Sequence, residues 1–96
     1  MQILVLSKLA PGASMDAVAP HLKAETQVAW RLYKEGLVRQ WYFRTDQPGV
    51  VFFIECESID EAKRAFETLP LASAGLVELE YIPLGPFLPL ESLFSA

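Results

Sequence analysis

Apolar and polar positions divide the first third of the chain into an aliphatic run and a segment with helical spacing. Residues 2–9 are mostly aliphatic, and Pro11 and Gly12 follow them with turn chemistry, which predicts a buried strand. From residue 16 the apolar positions recur at helical spacing, and Gly36 stands where a left-handed residue often ends a helix. We therefore predict a first strand over 2–9 and a first helix over about 16–35.

The next segment is dense in the branched and aromatic residues that strands favour. Residues 37–45 alternate only in part, and residues 50–57 form a second apolar run. Between them, residues 46–49 are a turn sequence that contains proline and glycine. This arrangement predicts a β-hairpin with a four-residue loop.

Ser58 and Glu61 mark the start of a second helix, because a Ser-x-x-Glu capping box satisfies free N–H groups at a helix N-terminus. Apolar residues then fall on one arc of a helix over 59–69, which Pro70 is expected to end. Residues 76–82 alternate apolar and acidic side chains, a pattern typical of a partly exposed strand.

The predicted order is β-α-β-β-α-β, the ferredoxin-like arrangement of the α+β class. Right-handed crossovers place both helices on one face of a four-stranded antiparallel sheet. The opposite face keeps more apolar surface than monomers usually expose, so we expect two sheets to pair face to face in a dimeric α+β barrel. Residues 1–83 would form this domain. Residues 84–96 would form a C-terminal arm at a subunit interface, or pack on their own protomer.

Composition limits the classes of protein that remain. Ninety-six residues allow one domain, and a hydrophobic fraction of 52% is too high for a disordered chain. The apolar surplus in so small a domain predicts a homo-oligomer, a dimer or larger. A net charge of −4 disfavours nucleic acid, and the apolar runs are too short for a membrane helix, so neither is an expected partner. The single cysteine, Cys56, fits a cytoplasmic location.

Glu25 falls on the predicted apolar arc of the first helix, between Leu22, Val28, Ala29 and Leu32. A carboxylate on an apolar face costs free energy unless it is paired or protonated. Two interpretations follow. Glu25 is either a general acid or base with a raised pKa at the mouth of a cavity, or one member of a structural ion pair.

Arg39 and Arg44 are candidates for binding a ligand carboxylate, because a guanidinium can hold one through two hydrogen bonds. Tyr42 would donate a hydrogen bond beside them, and Trp41 belongs to an aromatic set suited to a flat ligand. In the structural alternative, Arg39 pairs with Glu25, and Arg44 is solvated near the turn.

Strict alternation along residues 37–45 assigns their side chains to two opposite faces of the strand. It places Arg39 on the face of Trp41 and Phe43, and it places Tyr42 on the opposite face with Val38.

His21 is the only histidine, and it lies at the rim of the first helix. It would be a general base or an exposed first-turn residue. Lys23 lies off the apolar arc, so it would contact solvent, or a ligand if a neighbour covers that side. The sequence has no metal-ligand cluster, glycine-rich phosphate loop or Ser-His-Asp set, so neither a metal nor a cofactor is expected.

Segments spread over nearly the whole chain carry a family resemblance: LKAE at 22–25, RLYKEG at 31–36 with Arg39 after it, VVFFIECES at 50–58 leading to DEA at 60–62, LPL at 69–71, and GLVELEYIPL at 75–84. Through them the chain resembles the muconolactone delta-isomerase family. The resemblance implies a ferredoxin-like subunit, assembly through the sheet into dimers or a decamer, and a pocket for a small lactone acid.

The reaction of that family moves a carbon–carbon double bond in a five-membered lactone by proton transfer, without a cofactor. It needs an acid/base group and a cation for the substrate carboxylate. Residue by residue, the resemblance places Lys23, Glu25 and Arg39 on polar positions of the family. Thr26 stands where the family carries an acid.

The leading hypothesis is therefore a cofactor-free, isomerase-like enzyme acting on a small cyclic or lactone acid. Glu25 would move the proton, Arg39 or Arg44 with Lys23 would hold the carboxylate, and Tyr42 would orient the ring. Two alternatives stay open: a cofactor-independent monooxygenase or cyclase acting on a polyketide-like ring, and a non-catalytic oligomeric protein that binds a small ligand.

Overall fold

The computed structural model describes residues 1–95 and shows one sheet with helices on a single face. The strands are β1 (Gln2–Leu9), β2 (Val38–Phe43), β3 (Val50–Glu55) and β4 (Val77–Leu84). All pairings are antiparallel, in the order β2-β3-β1-β4. The helices are α1 (Met15–Val18), α2 (Leu22–Lys34), α3 (Ile59–Phe66) and α4 (Pro70–Ser73), with 3₁₀ segments at Ala19–His21 and Leu88–Phe94. The ferredoxin-like α+β prediction is confirmed.

The core lies between the sheet and the helices. Its buried side chains come from both layers: Ile3, Val5, Leu32, Val38, Phe52, Ile54, Ala62, Phe66 and Leu69. The ring of Phe66 stands perpendicular to that of Phe52, with ring centroids 5.0 Å apart. Burial of this set explains why α2 and α3 share one face of the sheet.

The capping box of the second helix is present. The Ser58 hydroxyl accepts the N–H of Glu61 at 3.1 Å, and the Glu61 carboxylate accepts the N–H of Glu57 at 2.8 Å. Pro70 acts differently from expectation. Pro70 begins α4 after α3 has ended at Phe66, and Pro20 lies in the 3₁₀ segment that divides the predicted first helix into α1 and α2.

A β-bulge in β2 changes the side on which its first residues lie. Pairing with β3 shifts between Val38 and Gln40, which leaves Arg39 as the extra residue. One inserted residue reverses the alternation on one side of it. Val38 is therefore buried on the helix side of the sheet, the same side that Trp41 faces. The prediction that Val38 shares the face of Tyr42 is wrong.

The hairpin loop covers residues 44–49, which is longer than the four-residue loop expected from the turn sequence. It is fastened to β1 at Ser7. The Ser7 hydroxyl accepts the N–H of Val50 at 2.8 Å, and the Arg44 guanidinium donates to the Ser7 carbonyl at 3.4 Å. The backbone of Gly49 passes so close that a Cβ there would collide with the Ser7 carbonyl oxygen.

Gly49→Ala is expected to lower the free energy of unfolding by about 1–3 kcal/mol, because the loop must move away from β1 to admit the methyl group. Urea unfolding followed by circular dichroism measures the change. Gly85→Ala is the matched control, since nothing lies within 4 Å of a Cβ built at Gly85. Equal unfolding midpoints for the two variants would contradict the close approach at Ser7.

The C-terminal segment extends from the end of β4 and lies outside the packed domain. Its apolar side chains are exposed by 54–88%: Phe87, Leu88, Leu90, Leu93 and Phe94. The radius of gyration is 15.6 Å and the longest axis 58 Å. A compact chain of this length would have a radius of gyration of about 12–13 Å. Residues 86–95 therefore do not pack on their own protomer, which was one of the two expectations.

Among residues 1–95, no helix has both the length and the apolar character needed to cross a membrane.

Candidate functional site

Glu25 lies on the inner side of α2, where its side chain is half-buried. Its Oε1 atom accepts the N–H of Leu71 at 2.9 Å, across 46 residues of sequence. This N–H belongs to the first turn of α4, which begins at Pro70 and receives no side-chain cap from Leu69. Glu25 therefore supplies the cap that α4 lacks locally and joins α2 to α4.

Burial raises the pKa of Glu25 above its ordinary value of 4.5, because the partly desolvated surroundings disfavour the charged carboxylate. The hydrogen bond from Leu71 and the charge of His21 lower the pKa but offset only part of this effect. A carboxyl with a raised pKa can both take and return a proton nearer to neutral pH than an exposed glutamate can, as general acid–base catalysis requires.

The raised pKa predicts how stability depends on pH. The folded state holds the Glu25 proton to a higher pH than the unfolded chain does, so the contribution of this group is most favourable below about pH 4.5. That contribution is lost as the pH rises through the folded-state pKa. Glu25→Gln cannot ionise at this position. As the pH rises from about 4 to about 8, its free energy of unfolding should therefore increase relative to that of the wild type.

Urea unfolding of both proteins across this pH range measures the change. Glu35→Gln, at the exposed residue that directly follows α2, reports the effect of removing one surface charge. If the stability difference between Glu25→Gln and the wild type changed with pH no more than that of Glu35→Gln, the desolvation of Glu25 would be refuted.

His21 is half-buried in the 3₁₀ segment directly before α2 and is near enough for its charge to act on Glu25. The structure thus brings these two candidate residues together. Lys23 lies on another side of α2 and lines an open, shallow depression of about 560 Å³ whose lining residues all belong to α2. We call it the α2 groove, and its lining residues are Leu22, Lys23, Thr26, Gln27 and Trp30.

Trp41 belongs to an aromatic stack that continues from the α2 groove to the edge strand β2. The rings of Trp30 and Tyr33 are stacked with centroids 5.6 Å apart, and those of Tyr33 and Trp41 are 5.0 Å apart. These three side chains are exposed by 37–53%. Leu22 was predicted on the apolar arc of the helix, but it is 46% exposed and lies on this side.

Arg39 is exposed at the bulge and donates its Nε–H to the carbonyl of Gly36 at 2.8 Å. The structural alternative in which Arg39 pairs with Glu25 is wrong, since no ion pair within residues 1–95 joins them. Tyr42 is 56% exposed and shares the face of the sheet that carries no helix with its partner Val51.

Arg44 is not a solvated residue near the turn, because only 17% of its side chain is exposed. Its guanidinium donates two hydrogen bonds to Asp46, at 3.0 and 2.8 Å, and these lower the pKa of Asp46 to about 2. Asp46 thus occupies the bidentate position that a ligand carboxylate would need. A carboxylate ligand at Arg44 would have to displace it.

Within one protomer, the candidate residues lie in separate places. Glu25 and His21 adjoin the start of α4, Lys23 and Trp41 lie along the outer side of α2, and the remaining three are at the bulge, the hairpin loop and the open sheet face. Cys56 donates to the carbonyl of Ser58 at 3.3 Å, and burial raises the pKa of its thiol, which disfavours a nucleophilic role. Within residues 1–95, no cluster of His, Cys, Asp or Glu is placed to hold a metal ion.

Sequence reasoning missed two parts of this arrangement. The first is the Leu71 N–H that bonds Glu25, although Leu69-Pro70 signals a helix start without a capping side chain. The second is Tyr33, which connects Trp30 to Trp41 in the aromatic stack.

No protein-family model matches the sequence, and the search of curated proteins found no match. Among solved structures, the chain is similar to 5-chloro-2-hydroxyhydroquinone dehydrochlorinase from Burkholderia phenoliruptrix AC1100, in complex with 2,5-dihydroxybenzoquinone. The TM-score is 0.68 at 23% sequence identity, over 88% of this chain and 96% of that chain. This similarity does not single out the muconolactone isomerases. It establishes that the chain has the same α+β fold as the dehydrochlorinase.

Proposed function

We propose that this chain is a small-molecule enzyme that transfers a proton on an oxygenated ring, with Glu25 as the acid/base group and without a cofactor. The observation that carries the proposal is the half-buried Glu25 carboxyl, whose pKa is raised and which lies beside His21. A desolvated carboxyl costs the fold stability, and perturbed carboxyls of this kind are concentrated at catalytic sites.

In the isomerase form of the reaction, the Glu25 carboxylate removes a proton from the ring carbon beside the carbon–carbon double bond of an unsaturated lactone. The electron pair delocalises towards the lactone carbonyl, and the double bond shifts by one position. The Glu25 carboxylic acid then returns the proton to the far carbon of the original double bond. Because Oε1 accepts the Leu71 N–H, Oε2 is the oxygen that exchanges the proton. Substrate and product are isomers, so no co-reactant is consumed.

The structural neighbour supports a ring substrate with oxygen substituents. Its name describes removal of chlorine from a chlorinated hydroxyhydroquinone, and its structure holds a dihydroxybenzoquinone. A second candidate reaction for this chain is therefore an elimination, in which Glu25 takes a proton from the ring system while chloride leaves. Both reactions require the same base, and chloride release distinguishes them.

The monooxygenase and cyclase alternatives are motivated by aromatic residues around a cavity. Two of those residues, Trp30 and Trp41, instead stack with Tyr33 on the outer side of α2. Proton transfer at Glu25 is the stronger proposal.

We also propose that the enzyme is a homo-oligomer in which the open face of the sheet meets a second copy. Leu4 pairs with Phe53 and Ile82 across that face, and Leu6 pairs with Val51. These side chains are only half-buried in one chain. A second sheet would cover them and would enclose Tyr42 between the two subunits.

The test is turnover of muconolactone followed by proton NMR, and of 5-chloro-2-hydroxyhydroquinone followed by chloride release, with oxygen uptake recorded in both. We expect one of the two substrates to react without oxygen uptake and to be inert with Glu25→Gln. Oxygen uptake would favour a monooxygenase. Absence of both turnover and ligand-induced thermal stabilisation would favour the non-catalytic alternative.

A further inference from the structure

The C-terminal segment carries an apolar surface of defined shape. Leu88–Phe94 is a 3₁₀ helix, in which residues three apart share a face and each residue rises about 2 Å. Leu90 and Leu93 therefore share one face, and Leu88 and Phe94 lie on a second face with Glu91 between them. Residues 87–94 present these apolar groups over about 14 Å, and we call residues 86–95 the arm.

The α2 groove is an apolar surface of similar length. Leu22, Thr26 and Trp30 are spaced four residues apart, so they form one row about 12 Å long on the helix. Leu22 is 46% and Trp30 53% exposed. The Thr26 hydroxyl donates to the Leu22 carbonyl at 2.8 Å, so its one hydrogen-bond donor is used within the helix. The floor of the groove therefore offers apolar contact along most of its length.

The two surfaces have complementary charges. Glu91 is the only charged side chain among residues 84–96. Among residues 1–95, Lys23 is the only charged residue that lines the α2 groove. Glu91 adjoins the middle of the arm and Lys23 adjoins the Leu22 end of the groove, so one pairing satisfies both charges when the surfaces meet.

The arm and the groove of one chain lie at opposite edges of the sheet. The arm follows β4, which is one edge strand, whereas the aromatic stack joins the groove to β2, the other edge strand. Four strands separate these edges by about 14 Å. The arm also makes its hydrogen bonds within itself, from Leu90 to Phe87 and from Ser92 and Ser95 to Pro89 and Glu91. This placement favours a groove on another molecule.

We propose that the arm of one copy of this chain packs into the α2 groove of a second copy, with Glu91 paired to Lys23. Under two-fold symmetry each copy gives its arm and receives the other. This contact is separate from the open face of the sheet, and it does not depend on the proposed catalytic function.

Cysteine cross-linking tests the proposal. In a Cys56→Ala background, protein carrying Thr26→Cys is mixed with protein carrying Leu90→Cys and oxidised mildly. We expect a covalent dimer that contains one copy of each, identified by mass. Ser92→Cys, on a third face of the 3₁₀ helix, is the matched control and should cross-link at least about tenfold less. Equal yields for Leu90→Cys and Ser92→Cys, or no mixed dimer, would overturn the proposal.

A single chain that holds both Thr26→Cys and Leu90→Cys separates exchange from packing within one protomer. Cross-linked dimers are expected, and closure within monomers alone would overturn the exchange.

A charge swap tests the pairing by sedimentation equilibrium. Lys23→Glu and Glu91→Lys should each raise the dissociation constant by about 2–10-fold, and their combination should restore it to within about twofold of the wild type. Additive weakening in the double variant would refute the pairing of Glu91 with Lys23.

Discussion

Replacement of Glu25 by glutamine is expected to lower kcat for proton transfer on the ring substrate by about 10²–10⁴-fold, the usual contribution of a positioned acid/base group. Glutamine keeps a side-chain carbonyl that can accept the N–H of Leu71, so the start of α4 retains its cap. The variant loses only the capacity to take and return the proton. Steady-state kinetics measures the loss, and unfolding at one pH confirms that the fold is intact.

Glu25→Ala serves as the companion variant, because it removes the acid/base group and the cap together. It should lose activity to the same extent and, in addition, about 0.5–2 kcal/mol of stability, the usual effect of deleting a helix cap. If Glu25→Gln kept the kcat of the wild type while Glu25→Ala lost stability, Glu25 would be a capping residue alone.

Phe66→Ala is expected to produce the largest loss of stability in the chain, about 3–5 kcal/mol. Phe66 is fully buried on α3, and its ring makes edge-to-face contacts with Phe52 and Tyr81, at centroid distances of 5.0 and 6.3 Å. Truncation leaves a cavity between α3 and the centre of the sheet, where neither layer can close it without moving. Urea unfolding at fixed chain concentration measures the difference.

Phe43→Ala is the control for this experiment, because Phe43 is 86% exposed and buries little in the folded chain. Phe43→Ala should change the free energy of unfolding by no more than about 0.5 kcal/mol. A loss for Phe66→Ala no larger than that of Phe43→Ala would mean that the helices do not pack on the sheet as described.

Most of the fold was predictable because it depends on local signals that agree with one another. The Ser58–Glu61 capping box, the turn chemistry before Val50 and the two hydrophobic periods each specify a short segment. Topological rules then leave few arrangements of six such elements. These signals placed the helices on one face of the sheet, as observed.

The bulge at Arg39 could not be predicted in the same way. Alternation within a strand assumes one residue per pair, and an inserted residue leaves no mark in composition. The prediction of side-chain faces was wrong only for the first residues of β2, where it placed Val38 on the same face as Tyr42. The position of a cationic side chain relative to a site therefore needs the strand register as well as the sequence.

For Glu25, the helical spacing correctly indicated an unusual carboxylate on an apolar arc. Its hydrogen-bond partner could not be derived, because Leu71 is 46 residues away and meets α2 only through tertiary packing. The same limit applies to the arm. Its apolar composition was evident, but its separation from the domain became visible only in three dimensions.

Proton transfer at Glu25 is tested most directly by deuterium exchange into muconolactone in D₂O, followed by proton NMR. We expect wild-type protein to incorporate deuterium well above the rate in buffer, at the ring carbon beside the double bond of muconolactone and at the far carbon of that bond in the product. Glu25→Gln should not do so. Equal exchange with Glu25→Gln would contradict proton transfer at Glu25, and exchange at the buffer rate with wild-type protein would contradict the isomerase form of the reaction.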